Sequence, residues 1–136
     1  MNDVEKINKN KKLIESLCKY LQEKFPEARS PSLKFIINKT NANESLGKTA
    51  YYEPTEESIH VYISGRHIKD ILRSISHEWV HHAQNCRGDL ANIATMEGYA
   101  QSDNHLREME KEAYLKGNII FRDFEDGIKN EKNKQQ

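Results

Sequence analysis

The segment that most restricts the fold of this chain is residues 74–84, which read SISHEWVHHAQ. In an α-helix, residues four apart lie one turn from each other on the same face. A helix over this segment therefore directs the imidazoles of His77 and His81 towards one point, where both can bind the same metal ion. Glu78 is rotated by about 100° from His77. Its carboxylate can therefore reach a water molecule on that ion but cannot easily bind the ion itself.

A third metal ligand is expected from the segment 105–126, because a catalytic zinc site usually has three protein ligands and one open position. At about 100° per residue, the apolar residues of this segment define one inward arc: Leu106, Met109, Ala113, Gly117, Ile120, Phe121 and Phe124. Glu110 falls within this arc, Glu112 lies just outside it, and Glu108 lies nearly opposite its centre. A carboxylate in an apolar stripe needs a partner. We therefore predict that Glu110 completes a zinc (Zn2+) site.

Other acidic and imidazole side chains are predicted to lie outside this site. Glu108 and Glu112 are expected on a solvated helix face. His60 and His67 are expected at the surface or in a hairpin. His82 is rotated by about 100° from the second ligand, so we expect it to be packed or to support the site from outside.

The remainder of the chain predicts an α+β domain. Helical spacing and short runs of β-branched and aromatic residues give helices over about 3–25, 66–85 and 105–126, with strands over 32–38, 48–53 and 58–64. The last two strands flank a short turn and read as a hairpin, which with the first strand makes a small sheet. We predict one domain over residues 1–128, followed by a disordered tail over 129–136.

The composition excludes several classes of partner. The chain has 21 basic and 21 acidic residues, so it has no bulk charge that would attract nucleic acid or an acidic membrane. It has no apolar run long enough to span a bilayer, and its first residues do not resemble a secretory signal. Two distant cysteines are expected as free thiols. We expect a monomer in the cytoplasm, with neither nucleic acid nor membrane as a partner.

The sequence HEWVH at 77–81, followed by EKEA at 110–113, resembles the gluzincin metallopeptidases. In that group two histidines on one helix and a glutamate on a later helix bind zinc. A small residue often stands three positions after the glutamate, and Ala113 matches it. The short chain also resembles the compact minigluzincins, and the resemblance covers roughly residues 47–125.

The resemblance implies a zincin-like fold and a zinc-dependent peptidase that acts on a peptide or protein. Glu78 would be the general base, and Tyr99 stands where some relatives carry a group that stabilises the oxyanion. Several relatives have an acidic residue four positions after the ligand glutamate, where this chain has Tyr114. The partner that orients the zinc histidines is therefore unidentified. His82 and Gln84 extend the likeness to small HExxH proteins that are often viral or prokaryotic.

Two interpretations of the motif compete. In the first, the chain is an enzyme, and the strand over 48–53 pairs with an extended substrate. In the alternative, zinc holds the helices together and the chain is a non-catalytic, zinc-stabilised protein-binding module. The glutamate next to His77 favours the enzyme, because a purely structural zinc site has no need of a base beside the metal.

Overall fold

The fold is an α+β arrangement, as the sequence predicts. The computed structural model describes residues 2–43, 47–90 and 104–134, with the side chains described as far as residue 131. Within these ranges the elements are α1 (Asp3–Lys9), α2 (Lys11–Lys24), β1 (Ser32–Ile36), α3 (Lys39–Ala42), β2 (Ala50–Glu53), β3 (Ser58–Tyr62), α4 (Ile68–Cys86) and α5 (Asn104–Lys134).

The three strands form one mixed sheet in the order β1-β3-β2. The predicted hairpin is confirmed, since β2 runs antiparallel to β3 with Tyr52 opposite Ile59. The first strand pairs with the other side of β3 in parallel. Strand β3 is therefore central, and its Ile59 and Val61 are fully buried. Strand β2 is an edge strand, because its outer side pairs with no other strand in the described part of the chain.

Helix α4 packs between the sheet and α5, so most of its surface is buried. It begins after His67, whose ring Nδ1 accepts a hydrogen bond from the backbone of Lys69. Its buried residues on the sheet side include Ile71, Ile75 and Trp79, which join the core formed with α2 and α5. In the described ranges, none of the helices is both long and apolar enough to cross a lipid bilayer.

The N-terminal segment differs from the prediction of a single helix. Helix α1 ends at Asn10, whose side-chain amide donates to the carbonyl of Lys6 and so competes with the continuing helix. A new helix, α2, follows at once. The break lets α1 lie against the end of the sheet, where Lys6 Nζ donates to the carbonyls of Ile63 and Arg66 at 2.8 Å each.

Two further elements differ from the sequence prediction. The polar loop after β1 contains the short helix α3, in which the Asn38 side chain accepts a hydrogen bond from the backbone of Asn41. Helix α5 runs to Lys134, beyond the predicted end at residue 126 and into the segment predicted as a tail. Residues 127–131 of this extension are mostly exposed, so their helical form comes from local propensity rather than burial.

Helices α4 and α5 lie in close contact at Gly117. A Cβ added there would lie 3.0 Å from the Cα and 3.3 Å from the N of His77. One turn earlier on α5, the small residue Ala113 is fully buried, in agreement with its predicted place on the inward arc of this helix. The two small residues therefore let α5 lie directly against the turn of α4 that carries His77.

The close approach predicts opposite effects for two glycine substitutions in α5. Gly117→Ala should lower the free energy of unfolding by about 1–2 kcal/mol, because backbone atoms must separate and this outweighs the gain in helix propensity. Gly127→Ala should raise it by up to about 1 kcal/mol, because no atom lies within 4 Å of an added Cβ. Urea denaturation of both variants with chelator present tests this, and equal effects would contradict it.

Candidate metal centre

The structure brings His77, His81 and Glu110 together. Their ligand atoms all lie within 4.8 Å of one another. Nε2 of His81 is 2.8 Å from one oxygen of Glu110, and Nε2 of His77 is 3.6 Å from the other. Two ligands of a tetrahedral zinc ion lie about 3.3 Å apart when each bond is about 2.0 Å long. The two distances bracket this value, so the group is geometrically able to hold a small divalent ion.

The charges of this cluster favour a bound cation. The neighbouring imidazoles of His77 and His81 hold the pKa of Glu110 well below its usual range. Burial lowers the pKa of His81, but the hydrogen bond with Glu110 and the charge of Glu78 outweigh it, so the pKa is raised overall. The site therefore stabilises a positive charge between His81 Nε2 and Glu110. A proton and a metal ion are alternative sources of that charge.

Glu78 is a buried carboxylate beside the cluster, with 8% of its surface exposed. Burial raises the pKa of Glu78, while the neighbouring imidazoles of His81 and His77 partly oppose this change. The side chain lines the same cleft as the two histidines. A carboxylate with a raised pKa takes a proton more readily near neutral pH.

Gln84 supplies the partner of His81 that the sequence motif left unidentified. Its side-chain oxygen is 2.8 Å from Nδ1 of His81. Its amide nitrogen donates to the carbonyl of Met109 and to the carboxylate of Glu112, both at 2.8 Å and both on α5. These bonds orient the amide, so Nδ1 of His81 donates to Gln84 and Nε2 is the nitrogen that faces Glu110, where it can hold either a proton or a metal ion. A buried glutamine three residues after the second histidine was the available sequence signal.

Glu112 is part of the support rather than a ligand. It accepts hydrogen bonds from Gln84, from Arg87 at 2.9 Å and from Lys116 at 2.7 Å. Burial raises the pKa of Glu112, but its hydrogen bonds with Lys116, Gln84 and Arg87 lower it to about 2 overall. Glu112 is half-buried, which corrects the expectation of a solvated helix face, whereas Glu108 is exposed as expected.

The cluster opens into a cleft of about 410 Å³ formed by three elements. Helix α4 lies along its base from Arg73 to His81. Residues 49–52 form one side, and the ridge of Glu110, Tyr114 and Asn118 on α5 forms the other. The strand predicted over 48–53 therefore lies beside the group of His77, His81 and Glu110.

A second group of possible ligands is formed by Glu57, His82 and Cys86. The ring of His82 is fully buried and both of its nitrogens have partners, since Nε2 contacts the carbonyl of Arg29 and Nδ1 lies 2.7 Å from the hydroxyl of Tyr52. Burial raises the pKa of Tyr52 to about 12, so the hydroxyl stays protonated and donates to Nδ1. His82 is therefore a packed residue, as predicted, and joins α4 to β2.

The predicted site residues thus have different outcomes. The ligand atoms of His77, His81 and Glu110 lie close enough together to hold one metal ion, and Glu78 lines the same cleft. Tyr99, predicted to stabilise an oxyanion, lies outside the described residues.

Comparisons of the chain with protein-family models, with curated proteins and with solved structures gave no match. The likeness to the gluzincins therefore stays a prediction that rests on the sequence motifs.

The network around Glu112 predicts a pH-dependent loss of stability. Glu112→Gln should lower the free energy of unfolding at pH 7 by about 1–2 kcal/mol. The folded-state pKa of Glu112 is below its ordinary value, so this contribution is present above about pH 4.5 and is lost as the pH falls towards about 2. Urea titrations from pH 7 to 3 should show the two proteins converging. A difference in the free energy of unfolding between the two proteins that stays constant with pH would contradict this. The matched control is Glu108→Gln, at an exposed position of the same helix.

Proposed function

We propose that this chain is a zinc-dependent peptidase of the gluzincin type, with a zincin-like fold. The observation that carries the proposal is the convergence of His77, His81 and Glu110, with the buried carboxylate of Glu78 beside them. A catalytic zinc site needs three protein ligands and an adjacent base. The cleft next to the cluster has room for a peptide.

The donor set supports zinc as the metal. Two imidazole nitrogens and one carboxylate are common ligands of catalytic zinc, whereas calcium and magnesium prefer oxygen ligands alone. The cluster is also partly accessible, since the side chains of His77 and Glu110 are 29% and 43% exposed. When bound, zinc makes water acidic near neutral pH and polarises a carbonyl oxygen.

The protein's own groups would carry the proton transfers. Glu78 accepts the proton of the water that attacks the peptide carbonyl, and then gives a proton to the leaving amine. Gln84 keeps His81 in the tautomer that a metal ligand needs. Tyr99 remains the proposed donor to the oxyanion.

The position of β2 supports an extended peptide as the substrate. Its outer edge has no strand partner in the part of the chain that is described, and residues 49–52 line the cleft. An exposed strand edge can pair with an extended peptide through backbone hydrogen bonds. Such pairing would hold a peptide bond beside the cluster without requiring a deep pocket.

The ligand set can be tested by metal analysis of two variants. Glu110→Ala should lose bound zinc, because it removes one of three ligands, whereas the exposed Glu108→Ala on the same helix should keep one zinc per chain. Elemental analysis after dialysis against zinc-free buffer measures both. Retention of zinc by Glu110→Ala, at wild-type affinity, would overturn the proposed ligand set.

The catalytic role of Glu78 can be tested separately. Glu78→Gln should keep one zinc per chain but lower kcat/KM by about 10²–10⁴-fold, because the amide cannot accept the proton. Cleavage of a proteome-derived peptide library, read by mass spectrometry of new termini, supplies the assay. Zinc binding that raises the melting temperature without any cleavage by the wild type would favour the non-catalytic binding module instead.

A further inference from the structure

The cleft contains a positively charged group that the proposed chemistry does not use. We propose that Arg73 forms a carboxylate-binding subsite, so that preferred substrates carry a carboxylate within about two residues of the cleaved bond. The carboxylate belongs either to an Asp or Glu side chain or to the C-terminus of the peptide. This inference rests on the proposed peptidase function and names its substrate class.

The position of Arg73 sets the distance of this subsite from the metal cluster. Arg73 precedes His77 by four residues on α4, so the two share a helix face, and both line the same cleft. One such step along a helix is about 6 Å, and an extended peptide advances about 3.3 Å per residue. A peptide that lies along the cleft therefore reaches Arg73 about two residues from the metal cluster.

The guanidinium of Arg73 is held in place but still accessible. Nη1 is 3.0 Å from the carboxylate of Asp70, and the guanidinium carbon is 5.5 Å from the ring centre of Phe121. Asp70 is its one hydrogen-bond partner among the described residues, and the side chain is 45% exposed. The other N–H groups of the guanidinium therefore remain available to a carboxylate. Arginine binds carboxylates well through two parallel hydrogen bonds.

The charges along the cleft favour the same class of ligand. Of the described residues that line it, Arg73 alone has a side chain with a permanent positive charge. Glu78 and Glu110 lie at the other end, where the imidazoles and a bound metal ion would offset their charge. The ion pair of Arg73 with Asp70 is exposed and so contributes little, and a ligand carboxylate can share the guanidinium.

Selection of substrates by their apolar side chains is the main alternative, and it is less well supported at this end of the cleft. The residues that line the cleft with Arg73 include Ser74, which carries a hydroxyl, and Asn118, which carries an amide. Both can donate hydrogen bonds to a carboxylate.

The test uses short peptides capped with a hydroxamate, which binds zinc and so fixes the register. Caps at either end place the peptide on each side of the cluster. At each position of the peptide, a version with Glu is compared with a version with Gln. Each peptide with a free C-terminal carboxylate is compared with the same peptide ending in an amide. The zinc-loaded protein should bind at least one Glu or free-acid member about five- to tenfold more tightly than its neutral partner. The pair that responds identifies the source of the carboxylate.

Three variants connect that preference to Arg73. Arg73→Gln should abolish it, and Arg73→Glu should transfer it to peptides with Lys at the same position, a reversal that loss of packing cannot produce. The control Arg122→Gln removes an exposed arginine of α5 outside the cleft and should keep the preference. Equal zinc content confirms that each variant is folded.

The outcomes separate the two proposals. Equal binding of charged and neutral peptides by the wild type, or a preference that survives in Arg73→Gln, overturns the subsite and leaves the metal site standing. Failure of every hydroxamate to bind overturns the metal site and the subsite together.

Discussion

The contact between α4 and α5 at Gly117 is the constraint on which the candidate site depends. The backbone of α5 lies against His77 because no side chain separates them. One turn away Ala113 is also buried, so the two helices stay close as far as His81. Glu110 follows at the next step along α5, and its carboxylate lies 2.8 Å from His81. A larger residue at position 117 would widen the gap and move the carboxylate away from the imidazoles.

Helix α4 is fixed in rotation by polar contacts on two of its faces. Towards the sheet, His82 contacts Tyr52, and Asn85 donates to the same hydroxyl. Towards α5, Gln84 joins His81 to the backbone and side chains of that helix. A rotation of α4 would leave buried polar groups unpaired on both faces at once, which is costly. The imidazoles are therefore set in position before any ligand arrives.

The sequence was most informative where regular periodicity decided the outcome. The four-residue spacing located the histidines, and helical phase selected Glu110 over Glu108 and Glu112. It was least informative where a side chain competes locally with the backbone, as at Asn10, which divides the N-terminal helix. The half-burial of Glu112 was also missed, because its partners Gln84 and Arg87 lie at the end of α4 and directly after it, far from Glu112 in sequence. The parallel pairing of β1 with β3 is likewise a long-range contact that no local pattern encodes.

The ligands of the cluster differ in their access to solvent. The side chain of His81 is 3% exposed, whereas those of His77 and Glu110 are 29% and 43% exposed. An ion held there would be anchored on one side and open on the other, so it could exchange with solution while the protein stays folded. Its occupancy would then follow the free metal concentration of the surroundings.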